Sequence, residues 1–175
     1  MSYEKDVTRN HQIVSIGLIV ADSDDLVEQA SMYAEIKWNG TSRWDAKAES
    51  IHGLSKDYLN KNGMTEEDAV FEIMAFIITH FDINSPIILL GHNVRAFDLP
   101  FLEKLLSKFE FDVKFSHRTV DSFSVGLVCF DTQDSDELFS KFFKKRLEHN
   151  SLEDARMALG VCRKVRLIMD TILNE

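Results

Sequence analysis

Apolar residues recur along this chain in two rhythms. Residues 13–21 (IVSIGLIVA) and 86–91 (PIILLG) are short, nearly continuous runs of β-branched residues and leucine, the pattern of strands buried on both faces. Residues 32–38 alternate apolar and polar positions, which predicts a strand returning from the first run across an acidic turn at 22–28. A helical period takes over after Thr65. Val70, Ile73, Met74, Phe76, Ile77 and Phe81 mark one face, and Thr65-Glu66-Glu67-Asp68 opens it in capping-box style. Asp98-Leu99-Pro100 opens another helix reaching about Phe109, with Pro100 in the first turn, where its missing N–H is tolerated. Residues 118–121 read as a strand end, 122–130 as a helix start or continued strand, and 131–136 as a polar loop. Residues 1–10 are polar without a strand, 44–62 read as loop and short helix, and 151–173 as one long closing helix. Strands and helices interleave, which predicts an α/β domain with a mixed sheet flanked by helices.

Length and composition narrow the class. The 175 residues contain no repeat and no Pro/Gly/Ser-rich linker, so one domain spanning 1–175 is expected. A hydrophobic fraction of 45% with 13 Phe excludes disorder, and 7 Gly with 2 Pro excludes a collagen-like chain. No apolar run approaches the roughly 18 residues of a membrane span, and the N-terminus lacks a signal-peptide pattern. A cytoplasmic protein with no membrane partner is therefore expected. Cys129 and Cys162 are too few for a disulfide framework or a zinc site. The net charge of −9 argues against coating nucleic acid through broad phosphate contacts. It leaves room for carboxylates that hold divalent ions, because such ions reverse the local field.

Two stretches carry chemistry. Gly91-His92-Asn93-Val94-Arg95-Ala96-Phe97-Asp98 follows the strongest strand, where polar side chains at the carboxyl end of an open α/β sheet line a working crevice. Asp98 could face that crevice, or it could cap the helix beginning at Leu99. In Glu148-His149-Asn150-Ser151-Leu152-Glu153-Asp154, an imidazole at a helix entrance and a carboxylate in the first turns could approach one site. A near-neutral histidine can take a proton from a nucleophilic water beside a carboxylate-held metal. The alternative is capping by Asn150 or Ser151, with Asp154 complementing the helix dipole. The basic, aromatic run Lys141-Phe142-Phe143-Lys144-Lys145-Arg146 offers either phosphate contacts and stacking or an amphipathic turn with its Phe side chains inward.

Together these stretches resemble the DnaQ-like, DEDDh-type 3′–5′ exonuclease family, which has the ribonuclease H-like fold. Residues 13–20 resemble its second strand, and Ile51-His52-Gly53-Leu54 its following His-Gly-Ile/Leu element. His92-Asn93 with Phe97-Asp98 resembles its second acidic motif, and His149 with Asp154, five residues on, its third. The helix from Thr65 and Thr119-Val120-Asp121-Ser122 fall between them in the expected order. The resemblance implies two-metal phosphodiester hydrolysis with Mg²⁺ or Mn²⁺. It implies Asp98 and Asp154 as metal ligands, His149 as general base, and Ile51, His52, Gly53, Leu54, Asn93 and Phe97 as positioning the terminal nucleotide. The implied partner is the 3′ end of single-stranded DNA or RNA, with a polymerase or other replication or repair protein as a further candidate.

The family's first motif, Asp-x-Glu-Thr on a central first strand, is not in this sequence; Asp6-Val7-Thr8 has threonine where the glutamate belongs. The expected sheet is thus ribonuclease H-like with its first strand missing or truncated. Two accounts compete: a start upstream of Met1 that carries the strand and its acidic pair, or a catalytically inactive exonuclease-fold protein that binds nucleic acid or protein. Asn150-Ser151-Leu152-Glu153-Asp154 also resembles an Asn-Ser-Leu-Asp element found upstream of the histidine in some members, but nothing later offers another histidine five residues ahead of an aspartate. On either account the 175 residues are expected to hold metal poorly.

Overall fold

The computed structural model describes residues 10–143 and 150–174. Strand β1 (Ser15–Ala21) pairs antiparallel with β2 (Glu28–Glu35), Ile16 opposite Ala34 and Leu18 opposite Met32. The expected turn is there, but it is tighter than the acidic run suggested. The Asp22 carboxylate accepts the Asp24 N–H at 2.7 Å and Asp25 accepts the Val27 N–H at 2.9 Å, so the return strand begins at Glu28 rather than at 32. Two short helices, α1 (Ala46–His52) and α2 (Lys56–Asn62), start on the caps Asp45 and Ser55. The expected helix α3 (Glu66–His80) starts where Thr65 Oγ1 accepts the Asp68 N–H at 3.1 Å.

Strand β3 (Ile87–Gly91), helix α4 (Asp98–Lys108) and strand β4 (Phe115–Asp121) form a parallel βαβ unit, with Gly91 opposite Asp121. Three helices follow: α5 (Ser122–Phe130) capped by Asp121, α6 (Ser135–Phe142) capped by Asp134, and α7 (Ser151–Leu173) capped by Asn150. Residues 122–130 are thus a helix, not a continued strand. No described helix is long and apolar enough to cross a membrane.

The strands alternate between two helical layers. Ile16 and Leu18 of β1, and Ile87 and Leu89 of β3, pack with Ile73, Leu102 and Leu106 of α3 and α4. Ile19 and Ala21 of β1, with Leu90 of β3 and Val120 of β4, pack instead with Leu159 and Cys162 of α7. Both strand pairs therefore share the same helices above and below. They are nevertheless separate two-stranded sheets: among the described residues no strand joins β1 to β3. That gap lies where the family resemblance implies a central first strand.

Candidate active site

The carboxyl ends of β3 and β4 lie side by side, and the chain leaves β3 through a turn that folds back on itself. A Cβ on Gly91 would meet the Val94 Cβ at 2.8 Å, so only glycine admits this close return. Asn93 takes the left-handed conformation, φ 57°. Its carbonyl accepts the Ala96 and Phe97 N–H groups, both at 3.1 Å. The turn delivers Asp98 as the first residue of α4. The capping position is Phe97, which offers no side-chain bond, so Asp98 is not the helix cap and its carboxylate is left for other work.

Asp98 keeps an open side to solvent. The protein packed around its carboxyl nevertheless withdraws enough water to push its pKa up to about 6. A hydrogen bond from its own N–H opposes the rise, and the charges of Asp121 and Asp154 add to it. Asp154 lies in the first turns of α7, whose N-terminus is held by Asn150 Oδ1 accepting the Leu152 and Glu153 N–H groups at 3.1 and 2.9 Å. Close packing fixes that helix end on the sheet: a Cβ on Gly17 of β1 would fall 2.3 Å from the Leu152 Cα. Two residues past Asp154, Arg156 donates to Glu28 of β2 at 2.9 Å and to Glu153 at 2.6 Å. A sheet end, a turn and a helix start thus bring Asp98 and Asp154 into one field.

Asp121 is the residue that sequence reasoning missed. It ends β4 next to Gly91 and contributes, with Asp154, one of the two negative charges acting on Asp98. Its signal was an aspartate at the carboxyl end of a strand, followed by a helix, in a segment used only as a marker of order.

The 51–54 element is held by other contacts. Ile51 is 55% exposed, and Gly53 ends α1 in the left-handed conformation. The Leu54 N–H donates to His52 Nδ1 at 3.0 Å. Burial lowers the His52 pKa, and its ring stands edge-on to Trp44. Trp44 in turn meets Trp38, over whose ring Lys56 Nζ sits at 4.2 Å. Phe97 is 57% exposed and leans at a tilt against Phe101, and Ile51 and Phe97 both present apolar surface to solvent. His149 and residues 144–146 of the basic run lie outside the described residues; Phe142 and Phe143 pack inward with Leu138 and Val161.

Among the described residues no three His, Cys, Asp or Glu side chains form a group able to hold a metal ion. Asp98 and Asp154 are two oxygen donors of the kind a hard cation such as Mg²⁺ takes, one or two carboxylates with water and substrate phosphate completing the shell.

The family model described as Exonuclease (RNase_T) matches residues 4–162. No curated protein matches significantly. Among solved structures, Escherichia coli exonuclease I in complex with a dT13 oligonucleotide superposes with a TM-score of 0.65 at 15% identity, over 88% of this chain and 36% of that one. The zinc-bound exonuclease I–ssDNA complex gives 0.66 at 15%, over 94% and 38%. The nuclease domain of 3′hExo, a DEDDh family member bound to rAMP, gives 0.67 at 10%, over 92% and 82%. The chain spans little more than a third of the exonuclease I chain, and at these identities the likeness is one of fold, in line with the expected ribonuclease H-like architecture.

Proposed function

Because the chain belongs to the RNase_T exonuclease family, we propose that it is a 3′–5′ exonuclease that removes nucleotides from the end of single-stranded DNA or RNA. The observation that carries this reading is the convergence of Asp98 and Asp154, from separate elements, on one field at the carboxyl ends of β3 and β4. A phosphodiester is an anion, and the negative charges of Asp121 and Asp154 acting on Asp98 favour a cation between this site and the substrate. Asp98 and Asp154 would hold Mg²⁺ or Mn²⁺, which supplies charge neutralisation at the phosphate and a more acidic bound water. The chain's own residues do the rest. His149, one residue before the cap of α7, is the candidate to take the proton of the attacking water. Exposed Phe97 and Ile51 would offer the terminal base apolar surface, and Asn93 and residues 52–54 are the further candidates to position it.

The 3′hExo and exonuclease I structures hold rAMP and single-stranded DNA respectively, which supports a 3′-terminal nucleotide as the ligand here. The test is release of nucleotides from 5′-labelled oligonucleotides, DNA and RNA, with Mg²⁺ or Mn²⁺. Asp154→Ala is expected to lower the rate at least ~10²-fold; an unchanged rate in that variant would sink the assignment.

One observation favours a second reading. With no three-residue ligand group among the described residues, the fold could serve as a binding module for 3′ ends without turnover. That reading expects retarded oligonucleotide in a gel shift and no product from the parent protein, even in Mn²⁺.

A further inference from the structure

We propose that Asp121 is a positioning residue for Asp98: its carboxylate locks the 91–98 turn in the one conformation that presents Asp98 beside Asp154. The role rests on the reading of Asp98 as an active-site carboxylate. The start of α4 has no side-chain cap, and the local bonds that shape its entry, Asn93 carbonyl to the Ala96 and Phe97 N–H groups and Val94 carbonyl to the Leu99 N–H, are all backbone ones within the turn itself. Asn93 is left-handed, a conformation asparagine takes more readily than most residues, so the turn is marked by Asn93 but not tied down by it. The tie from outside the turn is Asp121. Its Oδ1 accepts the Asn93 N–H at 2.8 Å and the Phe123 N–H at 2.9 Å, so one oxygen ties the turn to the start of α5.

A helix cap alone would account for the Phe123 bond. It does not account for the bond to a residue 28 positions away on another element. A second clasp lies beside it: Ser122, fully buried, meets His92 Nδ1 through Oγ at 3.1 Å, and the His92 ring is edged by Phe123 and Phe139. The β4–α5 junction thus grips both residues that begin the turn. Gly91 and Asp121 are opposite one another in the β3–β4 ladder, so the grip is as rigid as the sheet.

The experiment pairs hydrogen exchange of the 91–98 segment with oligonucleotide digestion in the full chain, for the parent, D121A, D121N, S122A and D98N. In D121A we expect exchange of 91–98 to rise at least tenfold while α3 and α7 stay protected, and kcat to fall about 10²-fold with KM changed less than threefold. D121N keeps an oxygen acceptor and should restore the protection and most of the kcat. S122A should loosen the same segment to a smaller degree. Unchanged protection in both D121A and S122A overturns the proposal, whatever happens to activity. So does a D121N variant that keeps full protection but is as inactive as D98N, because Asp121 would then act by its charge on metal or substrate. A loosened turn in D121A combined with no turnover by the parent in any metal supports the lock and refutes the exonuclease reading instead.

Discussion

Asp98 is a carboxylate held at some cost to the fold. Its pKa, raised to about 6 from an unfolded value of 3.8, means that between those two pH values the folded protein keeps a proton the unfolded chain has released. Stability therefore falls as pH rises through that window and stays reduced above it. Because one side of Asp98 is open to water, which screens its charge, the penalty is discounted to about 1 kcal/mol. Asp98→Asn should accordingly stabilise the protein at pH 7 by about that amount in EDTA, with the gain vanishing below about pH 4. Urea midpoints of the two proteins across pH 3.5–8 check this, and a parent that is as stable as the variant at pH 7 would remove the cost. Asp98, Asn93 and Asp154 were legible in the sequence because each sits in a local pattern, a strand end or a helix start. Asp121 was not: one of its two bonds runs to an N–H 28 residues away, and a string of letters shows only an aspartate before a helix.

At the scale of elements, the placement of Asp154 depends on how closely α7 can approach β1. Gly17 alternates with Ile16 and Leu18, so it faces α7 while they face α3 and α4, and the backbone of Leu152 rests where its side chain would be. Gly17→Ala must push the start of α7 away, because the contact is backbone and cannot rotate aside. Overpacking of this kind typically costs about 1–3 kcal/mol, and a backbone clash belongs at the upper end. We expect a lower urea midpoint, and digestion by the remaining folded protein reduced along with it; full activity would mean that Asp154 does not need this seat. Arg156, bonded to Glu28 and Glu153, cannot substitute for the packing, since partly exposed ion pairs contribute about 1 kcal/mol or less. Most elements were readable from periodicity, and α6 was not. Its eight residues give barely two turns, and Asp134 with the polar stretch before it carries the letters of a loop while capping a helix.

At the scale of the whole molecule, the described strands form a sheet in two pieces that share helices on both faces. Periodicity gives each strand and its buried faces but not its neighbours, so the order of the strands was implied only by the family resemblance. The described residues leave β1 with one paired edge. The Ile36 N–H donates to the Val14 carbonyl at 2.8 Å, which puts Val14, Ile16, Leu18 and Val20 in the ladder with β2. The backbone groups of Gly17 and Ile19 then turn toward β3, across a gap that no described strand fills. Neighbouring strands lie about 4.8 Å apart, so one further strand is what would bridge two edges held by the same helices. The amides of Gly17 and Ile19 are expected to exchange at least about tenfold faster than those of Ile16 and Leu18, measured residue by residue by NMR. Equal protection along β1 would instead show both of its edges paired in solution. The same experiment bears on the chemistry, because a strand in that gap would run between β1, on which the start of α7 with Asp154 is seated, and β3, whose following turn carries Asp98. Fast exchange at Gly17 and Ile19 with a silent digestion assay would favour the binding module. Slow exchange with an active one would point to further carboxylates arriving on that strand.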